Sequence, residues 1–434
     1  MRACITLEHR FLGTPDGRTW TVTQFPYEFF KNYLEIFDRV RVIARVFPTP
    51  RVEDHFRAVD GPGLEVFAMP AYKGPFEFVR QHARVRARAE SAVEAGDAAI
   101  LRVHSQVANS VEAWLTQRKQ PFALEVVADP IDVLSPKANR HPVAPVARLY
   151  FASRLKSQCR RAMAVSYVTR EALQRRYPPD LDHYATNFSS VSLRPDSFAE
   201  FHRTRHQFAT SFSDVELPND SFAAGGRQPV NTRRLMRAIF VGTLDSLYKG
   251  PDTLVEAVQL CKQNGVEIEL VVIGSGRYQE ILQKKCERMG IERQVRFTGS
   301  LPAGDPVRKE LDLADLFILP SRAEGLPRAM LEAMARGIPC VGSTVGGIPE
   351  LLSEEDMVPA NNAKALSVKL MSIVADRWRL SEMSARCLNV AASYSAAELS
   401  KKRQEFYTTV KALTALHYRQ PVEQAVYEQA AMGR

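Results

Sequence analysis

Short apolar runs alternate with amphipathic segments through the second half of the chain, from about residue 237 to residue 376. Strands that alternate with helices in this way predict a parallel sheet with helices on both faces. The predicted strands are 238–241, 267–273, 294–297, 316–319 and 339–342, and the predicted helices are 251–264, 279–289, 306–313 and 327–336.

The first half follows the same pattern less regularly and predicts a second open sheet. Between the halves, the polar stretch 211–234 lacks any periodicity and is typical of a linker, so we place the domain boundary near residue 225. Near the carboxyl end, Ser395 and Glu398 form a capping box that predicts the start of a helix. The predicted strands are 3–8, 40–46, 98–103, 122–127 and 164–168, and the predicted helices are 27–37 and 108–118.

Composition narrows the class of protein. With 434 residues, 45% of them hydrophobic and 25% charged, the chain is ordinary globular material of about two domains. No apolar run reaches the roughly 18 to 20 residues of a membrane-spanning helix, and no secretory signal is evident at the amino end. The six cysteines are widely scattered, which predicts reduced thiols and no zinc site. We therefore expect a cytoplasmic protein.

A formal net charge of +9 favours an acidic partner, which can be nucleic acid, an anionic membrane surface or a phosphorylated substrate. Basic residues recur at helical spacing in the first half. They predict either a solvated basic face or docking on anionic lipid at the inner face of a membrane. These residues are Arg80, Arg84, Arg88, Arg148, Arg154, Lys156, Arg160 and Arg161.

The segment 320–332, PSRAEGLPRAMLE, carries the most informative chemistry. It places Glu324 before and Glu332 within a helix that we predict to open at Pro327, because proline is favoured at the first helical position. Gly325 and Leu326 would form the turn. The free N–H groups and positive dipole of a helix start suit a diphosphate, and carboxylates on either side can accept hydrogen bonds from sugar hydroxyls. The pattern indicates a nucleotide-sugar site.

This segment resembles the hallmark of the retaining glycosyltransferases of family four, a Glu, seven residues and a second Glu. Further motifs follow the order of that family's donor domain. They are AIFVGTLDSLYKG (238–250), VVIGSGRYQ (271–279), VRFTGSLP (295–302), ADLFILPS (314–321) and EAMARGIPCVGSTVGGIPEL (332–351).

The resemblance implies the GT-B fold, an α/β architecture of two Rossmann-like doubly wound domains that face each other across a cleft. Residues 1–225 would bind the acceptor and 226–390 the nucleotide-sugar donor, and 391–434 would cross back to the first domain. Glu324 would contact the transferred sugar and Glu332 the ribose. The family reaction is front-side attack with retention, in which the departing phosphate oxygen takes the acceptor's proton and no metal or other cofactor is needed.

Lys249 precedes Pro251, a second predicted helix start, so its ammonium is placed to meet a phosphate beside Gly242; the alternative is a solvated surface lysine. The chain departs from the family at Thr243, where arginine is common, and a hydroxyl cannot clamp phosphate in bidentate fashion. Lys249, the helix start and Arg328 would then hold the diphosphate. The predicted donor-binding residues are Gly242, Thr243, Lys249, Gly274, Gly299, Glu324, Gly325, Leu326, Pro327, Arg328 and Glu332.

In the first half, His104 ends a strand-like run. By position it looks like the family histidine that contacts the donor sugar, which makes it, with Glu324 and Lys249, a predicted catalytic residue; a lone histidine is more often structural. Gly17 and Arg18 lie in a loop where related enzymes hold phosphate or acceptor, or in an ordinary turn. Asp129 follows another strand and is the third predicted acceptor residue.

The expected function is transfer of a sugar from a UDP- or GDP-sugar to a hydroxyl on a saccharide or lipid-linked acceptor, in bacterial polysaccharide or glycolipid assembly. Nucleic acid is not an expected partner. A nucleotide-sugar epimerase and a non-catalytic sugar-nucleotide-binding subunit remain alternatives, and Gly274 with Gly276 keeps a dehydrogenase open.

Overall fold

The computed structural model describes residues 1–22, 24–134, 142–179, 208–211, 217–226, 235–302, 304–376 and 378–432, with the backbone alone for 208–211 and 420–432. Much of the predicted linker, 212–216 and 227–234, lies outside the described residues.

The first domain is built on a sheet whose parallel strands run in the order β5-β3-β1-β6-β7-β8-β9. Two short strands, β2 and β4, pair antiparallel along the far end of β1. The strands are β1 (Arg2–Gly13), β2 (Thr19–Thr21), β3 (Arg39–Pro48), β4 (Arg57–Ala58), β5 (Leu64–Met69), β6 (Ala98–Val103), β7 (Phe122–Val126), β8 (Ala164–Tyr167) and β9 (Phe208–Ser211).

Helices cover both faces of this sheet, which is why a strand such as β6 is buried at every position. One core contains side chains of α2, α3 and α5, and the core on the opposite face contains side chains of α1 and of the last helix. The helices are α1 (Tyr27–Leu34), α2 (Gly74–Ala89), α3 (Gln106–Gln117), α4 (Pro130–Val133), α5 (Ala144–Arg161) and α6 (Ala172–Arg176).

The second domain has six parallel strands in the order β12-β11-β10-β13-β14-β15. The order reverses between β10 and β13, and ligands of such sheets bind at the carboxyl ends of the strands beside this switch point. The strands are β10 (Met236–Val241), β11 (Ile268–Ile273), β12 (Val295–Gly299), β13 (Leu316–Leu319), β14 (Cys340–Ser343) and β15 (Met357–Val358). The helices are α7 (Pro251–Gln263), α8 (Gln279–Arg288), α9 (Asp305–Asp312), α10 (Arg328–Ala335), α11 (Ala363–Ala375), α12 (Arg379–Ala392) and α13 (Ala396–Met432).

The predicted elements agree with the structure best where an apolar run is sharply bounded, as in 316–319 and 98–103. The predicted helix 108–118 starts two residues earlier, at Gln106, because the Ser105 hydroxyl caps it by accepting a hydrogen bond from the Ala108 N–H at 3.0 Å. The predicted helix 27–37 ends early, at Leu34.

The chain passes between the domains at two adjacent places. Leu217 lies in the core of the second domain, and its carbonyl accepts a hydrogen bond from the Ala396 N–H at 3.0 Å. At the same point α13 begins, where the Ser395 hydroxyl accepts a hydrogen bond from the Glu398 N–H at 3.4 Å. Farther along α13, Phe406 and Tyr407 are buried in the core of the first domain. The last helix therefore spans both domains.

A carboxylate makes a further contact between the domains. Glu350, which follows β14, accepts hydrogen bonds from the main-chain N–H groups of Arg170, Glu171 and Ala172 at 2.5, 3.2 and 2.8 Å. These N–H groups open α6, where a negative charge is favourable. These hydrogen bonds join the second domain to the first.

Within the described part of the chain, no helix is both long and apolar enough to cross a membrane.

Candidate active site at the switch point of the second domain

A cavity of about 620 Å³ opens at the switch point, between the carboxyl ends of β10 and β13. Gly242 and Lys249 line it from the loop that follows β10, and Glu324 and Leu326 line it from the loop that follows β13. Arg328 and Glu332 extend the lining along α10. The structure therefore brings together six of the residues predicted to bind the donor.

Lys249 and Glu324 form an ion pair at the floor of this cavity. The Lys249 Nζ lies 3.0 Å from Glu324 Oε2 and 3.3 Å from Oε1, and the two side chains are only 14% and 9% exposed. The Ser321 hydroxyl donates a further hydrogen bond to Glu324 Oε2 at 3.0 Å. Lys249 is thus a buried partner of Glu324, and not a solvated surface lysine.

Arg322 holds the two loops of the ion pair together. Its guanidinium donates two hydrogen bonds to the Asp252 carboxylate, at 2.7 and 2.8 Å, and a third to the Thr253 hydroxyl at 3.0 Å. Its main-chain N–H donates to the Tyr248 carbonyl at 2.6 Å. Bidentate pairs of this kind fix geometry as well as charge. The sequence analysis missed Arg322, because the contact joins residues about 70 positions apart.

Close backbone approaches also position Glu324. Gly346, at φ +55°, leaves room for the Glu324 carbonyl, which would lie 1.8 Å from a Cβ at that position. Gly250, at φ +73°, likewise lies against the Pro320 carbonyl, whose oxygen would be 2.1 Å from a Cβ added to Gly250. Side chains at either position would push the Glu324 loop away from its neighbours.

The helix α10 starts one residue later than predicted. Pro327 is in extended conformation, with φ −77° and ψ 101°, and is the residue before the helix; its carbonyl accepts a hydrogen bond from the Met330 N–H at 3.1 Å. The N–H groups of the first helical residues therefore have no acceptor within α10. Ala329, which lines the cavity, belongs to this first turn. The arrangement supplies an anion site beside the Lys249 ammonium.

The Glu332 carboxylate lines the same cavity and makes no hydrogen bond or ion pair with any described residue. Burial raises the pKa of its carboxyl group, and the positive charges of Arg328 and Arg308 oppose this shift. Both arginines line the same cavity. An unpaired, half-buried carboxylate lowers the stability of the folded protein. Both of its oxygens are available to accept hydrogen bonds from a ligand.

Arg308 was not predicted from sequence. It lies on α9, where its guanidinium pairs with Asp220 at 2.9 Å and with Asp305. Ser221, next to Asp220, also lines the cavity, so the segment 217–226 forms part of the wall. A polar turn without periodicity offers no signal for such a role.

Comparisons with known proteins agree with this geometry. The family model described as "Glycosyl transferases group 1" matches residues 232–392, which supply most of the residues that line the cavity. This stretch is therefore similar to the group 1 glycosyl transferases.

A relative is the "Putative colanic acid biosynthesis glycosyltransferase WcaL" of Escherichia coli, 37% identical over 131 residues, which are 28% of this chain and 32% of that protein. Another is the "GDP-mannose-dependent alpha-(1-6)-phosphatidylinositol monomannoside mannosyltransferase" of Mycobacterium tuberculosis, 32% identical over 147 residues, which are 32% of this chain and 38% of that protein. The matches thus span about a third of the length of these curated relatives.

Solved structures extend the likeness to both domains. The crystal structure of Anabaena HepE in complex with UDP-glucose superposes with a TM-score of 0.55 and covers 92% of this chain and 99% of that one, at 16% sequence identity. The fold is GT-B, with two Rossmann-like domains.

Five predicted donor residues are not among those that line the cavity: Thr243, Gly274, Gly299, Gly325 and Pro327. Gly325 and Pro327 lie next to lining residues, in the turn before α10. Thr243 is exposed, and its hydroxyl accepts a hydrogen bond from the Asp245 N–H at 3.2 Å within a local turn. Gly274 and Gly299 join the loops after β11 and β12, where the Gly274 N–H donates to the Gly299 carbonyl at 2.9 Å. A Cβ on Gly274 would lie 1.9 Å from the Gly242 carbonyl, so this glycine permits the close packing of two loops. Gly299 has a φ of +74°, a conformation that favours glycine.

His104 lies at the carboxyl end of β6 in the first domain, and it lines neither this cavity nor a second one described below. Its ring packs edge-on against Phe151, with centroids 5.4 Å apart. Burial lowers the pKa of His104, although a hydrogen bond to the Ala128 main chain and the charges of Asp129 and Glu8 oppose the shift. The lowered pKa favours the neutral imidazole, which can both donate and accept a hydrogen bond.

The predicted acceptor residues have other contacts. Gly17 and Arg18 belong to the tight turn between β1 and β2, where Arg18 stacks 4.7 Å above the Trp20 ring. The Asp129 carboxylate caps α4 through the Ile131 N–H at 2.8 Å and accepts a hydrogen bond from the Tyr177 hydroxyl at 2.6 Å. In both places local structure accounts for the residue type.

Replacing Glu332 by glutamine should weaken donor binding about tenfold or more, because hydrogen bonds to a charged acceptor are worth about 1.5 to 3 kcal/mol. The same change should raise the free energy of unfolding by about 0.5 to 1 kcal/mol, since it removes an unpaired carboxylate. Calorimetric titration with the nucleotide and a thermal melt measure the two effects. A variant that loses stability while keeping its donor affinity would contradict this role.

The raised pKa of Glu332 adds a pH dependence. The charged form accepts hydrogen bonds better, so donor affinity should fall as pH drops through a range above the ordinary value of 4.5 for this carboxyl. The effect on stability has the opposite sign. The charged Glu332 carboxylate lowers the free energy of unfolding above its raised pKa, and this cost disappears as pH falls, because the folded state binds the proton more tightly than the unfolded state. The Glu332→Gln variant should show neither dependence.

Proposed function

We propose that this protein is a retaining glycosyltransferase that moves a sugar from a nucleoside-diphosphate sugar to a hydroxyl acceptor. The observation that carries the proposal is the part-buried Lys249–Glu324 pair, which lines the same cavity as the first turn of α10 and the Glu332 carboxylate. The ammonium and the helix start offer positive charge to a diphosphate, and the carboxylates offer oxygens to sugar hydroxyls.

The diphosphate would lie between the Lys249 ammonium, the first N–H groups of α10 and the Arg328 guanidinium. The ammonium and the N–H groups are held in place before reaction, and all three would stabilise the charge that develops on the leaving group. We infer a reaction that depends on these cations of the protein, with front-side attack and the leaving phosphate oxygen accepting the acceptor's proton.

Glu324 would orient the transferred sugar and Glu332 the ribose. Glu324 is already engaged by Lys249 and Ser321, so its oxygens are fixed in direction rather than free to swing toward an anomeric carbon. This favours positioning of the sugar over formation of a covalent intermediate on Glu324. His104 would approach from the first domain as a neutral hydrogen-bonding group.

The donor would be a UDP- or GDP-sugar. HepE was crystallised with UDP-glucose, and the mycobacterial relative is named as GDP-mannose-dependent. The context would be bacterial polysaccharide or glycolipid assembly on the cytoplasmic side of the membrane, since one relative is named for colanic acid biosynthesis and another for a phosphatidylinositol mannoside.

A thermal-shift screen with UDP, GDP and ADP, followed by product analysis with the matching sugar nucleotides, tests the function. UDP or GDP should raise the melting temperature, and an acceptor should release the nucleotide with transfer of the sugar. Release of nucleotide without transfer would indicate an epimerase, and binding without turnover would indicate a non-catalytic subunit. No effect of any nucleotide would refute the proposal.

We also propose that α2 and α5 dock on anionic lipid. Both helices pair exposed apolar side chains with exposed basic ones: Phe76 and Val79 precede Arg80 and Arg84 on α2, and Leu149 precedes Lys156 on α5. Two of the basic residues predicted to contact lipid have a structural role. Arg154 and Arg161 both pair with Glu112, which is buried in the first domain. Arg88 stacks 3.9 Å above the Phe67 ring.

Replacing Arg80 and Arg84 by serine should weaken binding to vesicles rich in anionic lipid by at least tenfold, because each basic residue near the surface contributes about 1 kcal/mol. Flotation of vesicles with and without anionic lipid measures it. The matched control is Lys284→Ser, an exposed change on α8 of the other domain. Equal binding by the variant and the wild type would dismiss the docking surface.

A further inference from the structure

A second cavity, of about 520 Å³, lies where three parts of the molecule meet. The helix α1 and the strands β4 and β6 of the first domain form one wall, and the crossing helix α13 forms another. Arg328, at the start of α10, completes the lining from the second domain and also lines the first cavity. The shape of the second cavity therefore depends on how the second domain is placed against the first.

Glu350 lines neither cavity, yet its carboxylate joins the two domains. Its two oxygens accept hydrogen bonds from the main-chain N–H groups of residues 170–172 in the first domain. The Arg170 guanidinium in turn donates a hydrogen bond to the Ser393 hydroxyl at 2.6 Å and lies 5.3 Å from the centre of the Tyr394 ring. The segment 170–172 is thus held through its main chain and through one side chain, and we call this set of interactions the Glu350 contact.

The Glu350 contact lies beside the two places where the chain passes between the domains. The Tyr394 carbonyl accepts a hydrogen bond from the Leu217 N–H at 3.2 Å, and the Leu217 carbonyl accepts one from the Ala396 N–H. Rotations between domains are absorbed by a few residues at the ends of elements such as these. A contact next to the hinge therefore limits the angle between the domains.

The turn 345–350 connects the Glu350 contact to the loop that carries Glu324. The Gly347 N–H donates a hydrogen bond to the Gly325 carbonyl at 2.8 Å. The Gly347 carbonyl accepts one from the Glu350 N–H at 3.2 Å, within a single turn of 3-10 helix. A continuous series of hydrogen bonds therefore runs from the donor cavity of the second domain to the main chain of the first.

We propose that Glu350 is a positioning residue for sugar transfer, which holds the acceptor-binding first domain in register with the donor cavity. The inference rests on the proposed transferase function. Glu350 acts through the placement of the domains and not through contact with a ligand. A nucleotide that orders the Glu324 loop also orders the turn 345–350, and so strengthens the Glu350 contact.

Amide hydrogen exchange of the full-length protein measures the contact directly. In the Glu350→Ala variant the N–H groups of residues 170–172 lose their acceptor and should exchange about tenfold faster or more. Glu350→Gln keeps one acceptor oxygen and should show a smaller increase. Saturating UDP or GDP should slow exchange of these N–H groups in the wild type and have no such effect in Glu350→Ala. Mass spectrometry of peptides that cover α6 provides the rates.

Steady-state kinetics test the consequence for transfer. Glu350→Ala should lower kcat about tenfold to 100-fold, because a shift of about 1 Å between reacting groups can cost the larger factor. The affinity for UDP or GDP should stay unchanged, since Glu350 does not line the donor cavity. Glu350→Gln should recover part of the lost rate. The matched control is Glu354→Gln, an exposed change four residues farther along, which should behave as the wild type in both assays.

The inference fails if Glu350→Ala keeps the wild-type kcat, or if its nucleotide affinity falls as much as its kcat. It also fails if the exchange of residues 170–172 does not respond to the substitution. Should Glu350→Ala fold poorly, the same comparisons apply to Glu350→Gln. Failure of the proposed function gives a different result, in which neither UDP nor GDP binds to the wild type.

Discussion

Replacing Lys249 by glutamine is expected to lower kcat for sugar transfer about 100- to 1,000-fold, the usual effect of removing one group that stabilises developing negative charge. The variant loses the ammonium beside the diphosphate, and Glu324 loses the partner that orients it. The free energy of unfolding should fall by about 1 to 3 kcal/mol, because a nearly buried carboxylate is left without its cation. Steady-state kinetics and a denaturant titration measure the two effects.

A second substitution separates catalysis from stability. In the double variant Lys249→Gln with Glu324→Gln, both charges are gone, so the loss of stability should be smaller than the sum of the single losses by about 0.5 to 3 kcal/mol. The transfer rate should stay as low as in either single variant. Lys284→Gln, an exposed change on α8, is the matched control. A Lys249→Gln protein with wild-type kcat would show that the pair is structural.

The substitution Gly346→Ala should reduce transfer about 100-fold, although Gly346 carries no side chain that could contact a ligand. An added Cβ would lie 1.8 Å from the Glu324 carbonyl, so the loop must move, and displacing a positioning group by about 1 Å can cost that factor. The alanine also has to adopt φ +55°, which costs about 1 to 2 kcal/mol. Initial rates and thermal melts of the purified variant test both expectations.

Gly290→Ala distinguishes the two causes. Gly290 has a comparable φ of +64°, but no atom lies within 4 Å of its added Cβ. This variant should lose about the same 1 to 2 kcal/mol of stability and keep its transfer rate. If Gly290→Ala and Gly346→Ala lowered the rate equally, general destabilisation would explain both and the loop contact would have no special importance.

The sequence predicted the second domain better than the first, for physical reasons. Strands such as β13 are buried on both faces and read as sharply bounded apolar runs, and Pro251 marks the start of α7. The strand β2 was not predicted, because a strand of three residues is too short to show an alternating pattern.

Within the candidate site, the sequence predicted the residues that belong to one motif. It did not predict residues whose role depends on a contact with a distant part of the chain. Glu324, Arg328 and Glu332 are close in the chain, so their shared cavity follows from one loop and one helix. Arg322 was hidden although it lies in the same segment, since its importance depends on Asp252. The second cavity was invisible because Arg57, Arg328 and Arg403 come together only when the last helix returns.

The position of Arg328 has a thermodynamic consequence. One guanidinium lines two cavities, so ligands in the two compartments draw on the same fixed charge and cannot be energetically independent. Linkage requires that whatever factor the first occupant imposes on the second, the second imposes on the first. The affinities of the two cavities are then coupled through a single side chain.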